Sequence, residues 1–439
     1  MPYVLGVDVG TTRTAAAVCR LGGAGRGEPE VVGLGGPGGG VASTLQLTPD
    51  GAFAVGEPGD PRWTATGFGR RVGDTVPVVL GPDPAGFDPG GPDAVAPDPA
   101  GGGELFAAEE LTALLVMWVA DQVAAREGER PAHIVLAHPP GWGPHAKGLM
   151  HRALRSVGLE VSLVPEPVAA AENHAFTRSF AGSLGVFSLG SHAFGASVVG
   201  RGFELVHAVE GVDQAAGVDF DDAVFAHVRA TLGRALAELD ADDPRTRGLF
   251  ARLRRDCEAA KRVLSGTLET SIPVHLPSGP VEVPITRAQF EDLIRPHVEQ
   301  AVSVFERVAA AGVEMTVLVG GSARIPLVAA SVPGRVVLEA APETSVVKGA
   351  ALAARRLVVG PDAEPEPIET SVMVRDDDPL LRFPVGGPEA PEAEFTAPPP
   401  RPPVDITPLD LPERRTVKRV VRGLVPTGGR RARDSEDGR

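Results

Sequence analysis

The chain has 439 residues, enough for two or more domains with cores of their own, and its formal charge of −15 at pH 7 argues against free nucleic acid as a general partner. Two cysteines, Cys19 and Cys257, give neither a disulfide framework nor a thiolate metal cluster, and the reading is a reducing cytoplasm. No basic leader precedes an apolar core at the N-terminus, and the longest apolar run, residues 111–120, is too short to span a bilayer, so neither a secretory signal nor a membrane span is expected.

Residues 4–13 read Val-Leu-Gly-Val-Asp-Val-Gly-Thr-Thr-Arg, an apolar strand that ends in Asp8 and enters a polar turn. Gly10 permits a close backbone approach, Thr11 and Thr12 offer amides and hydroxyls to an anion, and Asp8 stands where it can hold a hydrated Mg²⁺. An ordinary first hairpin with a polar turn would read the same way. Strands and turns continue to residue 60, and residues 81–103 form a Pro/Gly loop read as a mobile insertion. The pattern then predicts a helix over 104–127, a strand over 133–137, and a helix near 144–157. A strand near 160–164 and a helix over 167–178 follow. Residues 185–189 and 195–200 form a second strand-turn-strand echoing the first. Helices are expected over 219–236, 245–265, 288–312 and 343–357, with two short strands within 270–285 and a strand at 316–321.

Three stretches, residues 4–13, VSLVPEPVAAAEN (161–173) and TVLVGGSARIP (316–326), in this order and spacing, resemble the nucleotide-binding domain of the heat-shock 70 kDa (DnaK) chaperones within the actin-like ATPase superfamily. The resemblance covers about residues 1–358. It implies an α/β, actin-like ATPase fold of two lobes, each with a duplicated mixed β-sheet core flanked by helices. Lobe I would be residues 1–180 and lobe II 181–358, with ATP or ADP and Mg²⁺ between them.

The resemblance also implies roles. Glu166 matches the water-orienting carboxylate, although a Glu in the first turn of a helix also suits the macrodipole. Pro139 and Lys147 match a proline switch and its basic partner. Gly10, Thr11, Thr12 and Arg13 would bind the phosphate tail in the first hairpin, and Gly190 and Ser191 in the second. On the nucleoside side, Glu258, Lys261, Arg262 and Ser265 fall on one helical face and match residues that hold ribose and adenine. Gly320 and Gly321 would allow close approach there, Arg324 would stack on the purine opposite Arg262, and Glu343 stands where an acidic residue is usual.

Two departures put hydrolysis in doubt. In Phe187-Ser188-Leu189-Gly190-Ser191-His192-Ala193-Phe194, Ser188 replaces the family's Mg²⁺-proximal Asp and Ala193 its phosphate-contacting Thr. In GFGRRVGD (67–74), Ala65 and Thr66 occupy the neighbourhood of an essential Lys, while Arg70 and Arg71 start from elsewhere. The expectation is an ATP-binding switch or chaperone-related protein with weak or absent hydrolysis; the alternative is a non-catalytic pseudo-ATPase scaffold acting through its tail. No peptide-binding domain is recognised after residue 358. Residues 359–410 read as a disordered Pro-rich acidic linker and 411–439 as a basic tail. In that tail Val417, Val420, Val421 and Leu424 share a helical face opposite Lys418, Arg419 and Arg422. Residues 411–433 would dock on an anionic membrane surface, peripheral at the inner membrane, or on an acidic protein groove. The partner or client protein is not named by the sequence.

Overall fold

Val4, Leu5 and Val7 bring no polar group to either face of the first strand, and such a strand is stable only when covered on both sides. It forms the middle of a sheet. The computed structural model describes residues 1–22, 27–56, 59–81, 103–211, 215–240 and 243–360, with the backbone of 424–426. These belong to one unit, Met1–Asp362 with Val421–Arg439; a second unit, Ala363–Val420, lies outside the described residues.

The chain opens with β1 (Tyr3–Val9), β2 (Arg13–Arg20), β3 (Glu30–Val32), β4 (Val41–Ala42), β5 (Thr44–Leu47), β6 (Phe53–Val55), β7 (Thr64–Thr66), β8 (Val78–Leu80) and β9 (Glu104–Phe106). Then come α1 (Ala108–Glu127), β10 (Ile134–His138), α2 (Pro144–Ser156), β11 (Val161–Pro165) and α3 (Glu166–Thr177). The second half repeats the start with β12 (Leu184–Leu189), β13 (Phe194–Val199) and β14 (Leu205–Glu210). It continues through α4 (Gly217–Leu232), α5 (Arg234–Ala237), α6 (Pro244–Leu264), β15 (Glu269–Leu276), β16 (Gly279–Thr286) and α7 (Arg287–Val308). β17 (Met315–Val319), α8 (Pro326–Ser331), β18 (Val336–Leu338) and α9 (Ser345–Val359) complete it, and β19 (Leu424–Pro426) lies far downstream.

The first sheet runs β11-β10-β1-β2-β3 and the second β18-β17-β12-β13-β14. In each, an antiparallel hairpin stands beside two parallel strands reached through helical crossovers. The two sheets therefore share one strand order, and the mixed, duplicated α/β architecture is that of the actin-like ATPases.

Among the described residues there are three apolar clusters: one behind the first sheet, one behind the second, and one rich in Ala and Val between them. The third explains the Ala-rich stretch after Glu166. Helices α3 and α9 cross there, and each also reaches across: α9 packs on β1, β2 and β10, while α3 packs on β12, β13 and β17. At the crossing a Cβ on Gly349 would fall 1.6 Å from the Ala169 carbonyl oxygen, so the two backbones touch without side chains between them.

The structure departs from the sequence expectations in several places. Glu104–Phe106, expected to open the first long helix, instead pairs as β9 with β8. The helix expected over 219–236 ends at Leu232, and a short α5 follows Gly233. Leu424, expected to close a helical face, lies in β19, which pairs in parallel with β6, Leu424 opposite Phe53. The rest of the basic tail, the linker 361–410 and the loop 82–102 lie outside the described residues. Among the described residues no helix is long and apolar enough to cross a membrane.

Candidate functional site

The two hairpins meet at their tips. After β1 the chain turns so that the Gly10 N–H donates to the Arg13 carbonyl at 3.1 Å; after β12 the Gly190 N–H donates to the Ala193 carbonyl at 2.9 Å. The first turn is anchored from behind by Ser43, whose hydroxyl donates to the Gly10 carbonyl at 2.6 Å. The second is anchored by backbone: the Gly217 N–H reaches the Gly190 carbonyl at 3.0 Å and the Val218 N–H the Ser191 carbonyl at 2.7 Å. Gly320 packs so tightly on this turn that a Cβ there would lie 2.4 Å from the Leu189 carbonyl oxygen. Thr12 and Ser191 share a hydrogen bond across the gap, and His192 Nδ1 lies 3.3 Å from the Thr12 hydroxyl.

Below the tips is a pocket lined by Arg70, Pro140, Glu166, Ser188, Ala193 and Glu210, among others. Arg70 enters from the turn after β7 and donates from Nε to the Thr11 hydroxyl at 2.9 Å. Its neighbour Arg71 turns away, donating to Asp74 at 3.3 Å and to the Val76 carbonyl at 2.8 Å. Among the described residues Arg70 is thus the cation that lines this pocket, a role that the local pattern alone did not divide between the two arginines. Burial pushes Asp8 above the ordinary carboxylate range, and Arg70 opposes the shift. Glu166, the first residue of α3, moves the same way, through burial first and then the charge of Asp8, with Arg70 again opposing. Asp8, Arg70 and Glu166 therefore act on one another electrostatically in a partly desolvated space.

Lys147 does not line this pocket; it sits in the first turn of α2. Pro140 and Pro167 line it and Pro139 does not; the carbonyl of Pro139 accepts from Trp142 N–H at 3.1 Å and from the His138 ring at 2.7 Å.

On the nucleoside side, the stripe on α6 separates into two environments. Lys261 is buried, donating to the Gly217 carbonyl and to Asp221, both at 2.8 Å. Burial pushes Asp221 up to about 6 against the pull of Lys261. Arg262 is exposed and pairs with Glu258 one turn back, and Ser265 bonds the Lys261 carbonyl at 3.1 Å. Arg13 comes within electrostatic reach of Arg262 and Glu258: burial and Arg262 lower its pKa, while Glu258 acts the other way. The first hairpin and α6 therefore border the same cleft. Arg324, in the turn that starts at Gly321, holds Glu343 through two bonds of 2.8 and 3.0 Å and donates to the Ala340 carbonyl at 2.9 Å.

Two partners escaped sequence reading. Asp221 is 40 residues from Lys261 and appears as one acid among several on α4. Glu210 closes β14 with no motif around it; only the strand register, which sets it opposite Gly195, brings it to the pocket.

No three His, Cys, Asp or Glu side chains converge closely enough among the described residues to ligate an ion directly. The donor set here is hard carboxylate oxygen, which fits magnesium held through its own water shell.

The family model described as Hsp70 protein matches residues 93–365. The chain is 29% identical over 265 residues to a chaperone protein DnaK of Thermus thermophilus, covering 54% of this chain and 42% of that protein. It is 27% identical over 352 residues to the chaperone protein DnaK of Elusimicrobium minutum, covering 75% and 53%. To the heat shock 70 kDa protein BIP3 of Oryza sativa subsp. japonica it is 29% identical over 357 residues, covering 74% and 51%. The chain spans about half the length, or less, of these relatives. With the shared strand order of the two sheets and the paired turns between them, these matches establish that the chain belongs to the Hsp70 family.

Proposed function

We propose that this protein binds ATP or ADP between its two halves, 1–180 and 181–358, and works as a nucleotide-dependent switch with weak or absent hydrolysis. The observation that carries this reading is the bond from Arg70 to Thr11, which sets a cation beside the first turn and opposite the second. A phosphate tail placed there meets the amides of both turns, the hydroxyls of Thr11, Thr12 and Ser191, and the guanidinium of Arg70. Asp8 would hold the magnesium ion through water, and the ion would neutralise phosphate charge. Glu166 would orient an attacking water. Lys261 and Ser265 would reach the ribose, with Glu258 and Arg262 at its rim. Adenine would lie against the Gly320–Gly321 backbone and beside Arg324, whose pairing with Glu343 fixes its plane. Lys147 and Pro139 would relay the state of the pocket to α2.

Ser188 and Ala193 both line the pocket, so the second turn presents to it neither a carboxylate at Ser188 nor a hydroxyl at Ala193. Each such loss removes charge stabilisation from phosphoryl transfer, which supports slow turnover. The same residues favour a second reading, a scaffold that binds nucleotide without turning it over and acts through residues 411–439. The DnaK relatives are named as chaperones, so a protein client is the partner proposed, in the cytoplasm; docking of 411–433 on an anionic inner-membrane surface is the other partner proposed.

Titration calorimetry with ADP and ATP in magnesium, followed by phosphate release on the same sample, tests the assignment. Binding with little release is expected. Fast release would overturn the weak-hydrolysis reading, and no heat with either nucleotide would overturn the nucleotide site. Asp8→Ala should weaken binding in magnesium; unchanged affinity would remove Asp8 from the site.

A further inference from the structure

β14 pairs with β13 so that Glu210 stands opposite Gly195. Gly195 has no side chain, and a Cβ there would have room, in ordinary contact with both neighbouring strands. A Cβ on Gly195 would lie 3.9 Å from Glu210 Cγ and 3.8 Å from Ser188 Cβ. Ser188, Gly195 and Glu210 therefore stand in one cross-strand row on the same face of the sheet, to which β12 contributes only a serine hydroxyl. It lines the same pocket as Arg70, Glu166 and Ser188. Its Oε2 accepts the Gly141 N–H at 3.1 Å, and among the described residues the carboxylate makes no other hydrogen bond.

The charges around it are unbalanced. Asp8, Glu166 and Glu210 each fall within electrostatic reach of Arg70, and among the described residues no other cation acts on the two glutamates. Carboxylates gathered in a partly dry pocket are stable together when a cation joins them. The carboxylate is also misplaced for a purely structural role, because a neutral acceptor would serve the Gly141 N–H as well.

The geometry points to Glu210 as the replacement, supplied by the next strand, for the carboxylate that the second hairpin lacks at Ser188: with Asp8 it holds the water shell of the divalent cation that accompanies the nucleotide. This rests on the nucleotide reading above. Asp8 approaches the ion from the first hairpin and Glu210 from the side of the second, each through water, in keeping with the absence of a direct three-ligand cluster among the described residues. Glu210 is a positioning residue; it touches the water shell and not the transferred phosphate.

The test compares ADP affinity in excess magnesium with affinity in EDTA, by calorimetry on the full chain. Glu210→Gln keeps an acceptor for Gly141 and nearly the same volume. The expected result is a gain from magnesium in the wild type that falls by about tenfold in Glu210→Gln through weaker binding in magnesium, the scale seen when residues that orient metal ligands are lost. Ser188→Asp in the Glu210→Gln background should restore the gain. A Glu210→Gln protein with the wild-type ratio of affinities overturns the inference. So does a wild type that binds ADP equally with and without magnesium, which leaves the nucleotide site standing. A wild type that binds no ADP in either condition removes both. Should Glu210→Gln melt early, Glu210→Asp, which withdraws the carboxylate by one methylene, is read by the same ratio.

Discussion

The turns after β1 and β12 close through the same backbone bond, at 3.1 and 2.9 Å, yet carry different side chains. The first keeps Asp8, Thr11 and Thr12; the second has Ser188, Ser191, His192 and Ala193. What holds each turn in place is a hydroxyl or amides on backbone carbonyls of the turn. The frame therefore survives the loss of a carboxylate, because the chemistry was never part of what builds it. Side chains from outside the hairpins also line the pocket, Arg70 from the turn after β7 and Glu210 from β14.

The largest effect should come where the two halves differ in backbone contact. A Cβ on Gly6 of β1 would meet backbone atoms of α9 at 2.3 and 2.6 Å; one on Gly185 of β12 would meet the Phe305 ring at 2.8 Å and the Thr316 hydroxyl at 3.0 Å. Side chains can yield and a packed helix backbone cannot, so Gly6→Ala should cost about 3 kcal/mol and Gly185→Ala about 1 kcal/mol. Equal shifts in denaturant midpoint would break the distinction.

Next, Arg70→Ala should weaken ADP binding by roughly thirtyfold, about 2 kcal/mol for a charged hydrogen bond, while Arg71→Ala changes it less than about twofold. Calorimetry on the pair decides whether one arginine or both serve the pocket.

A smaller difference concerns acid. His138, at the end of β10, is buried, and burial lowers its pKa to about 4, whereas its counterpart at the end of β17 is Val319. The unfolded chain binds a proton near its ordinary value of about 6.5 and the folded chain does not, so stability is lost as pH falls from about 6.5 toward 4. Between pH 7 and 5.5 the loss should be about 1 kcal/mol more in the wild type than in His138→Gln. Parallel stability curves would show that His138 is protonated at no cost. The smallest effect expected is a gain: Ala193→Thr returns a hydroxyl to the second turn and should tighten ADP binding by about threefold, read from the same titration.

Much of this was legible in the sequence where the residues are contiguous. Asp8, Gly10, Thr11 and Thr12 announce a turn because strand and turn follow each other directly, and the echo at 185–200 revealed the repeat. Lys261 was visible as part of a stripe, but not its burial, since the stripe gives a face and Asp221 lies on another helix. Glu104–Phe106 was read as helix because the strand partner that makes it β9 stands beyond a long insertion. Arg70 could not be told from Arg71, and Glu210 was hidden, for the same reason: each reaches the pocket by its side chain from an element whose local pattern is ordinary.

The contact of Gly349 with the Ala169 carbonyl also limits how the molecule can move. Two helices touching backbone to backbone have no slack for sliding, but they can rotate about the point of contact. The halves would then behave as the blades of scissors, with the rivet at α3 and α9 and the tips at Thr12 and Ser191. A ligand that bridges those tips would resist that rotation.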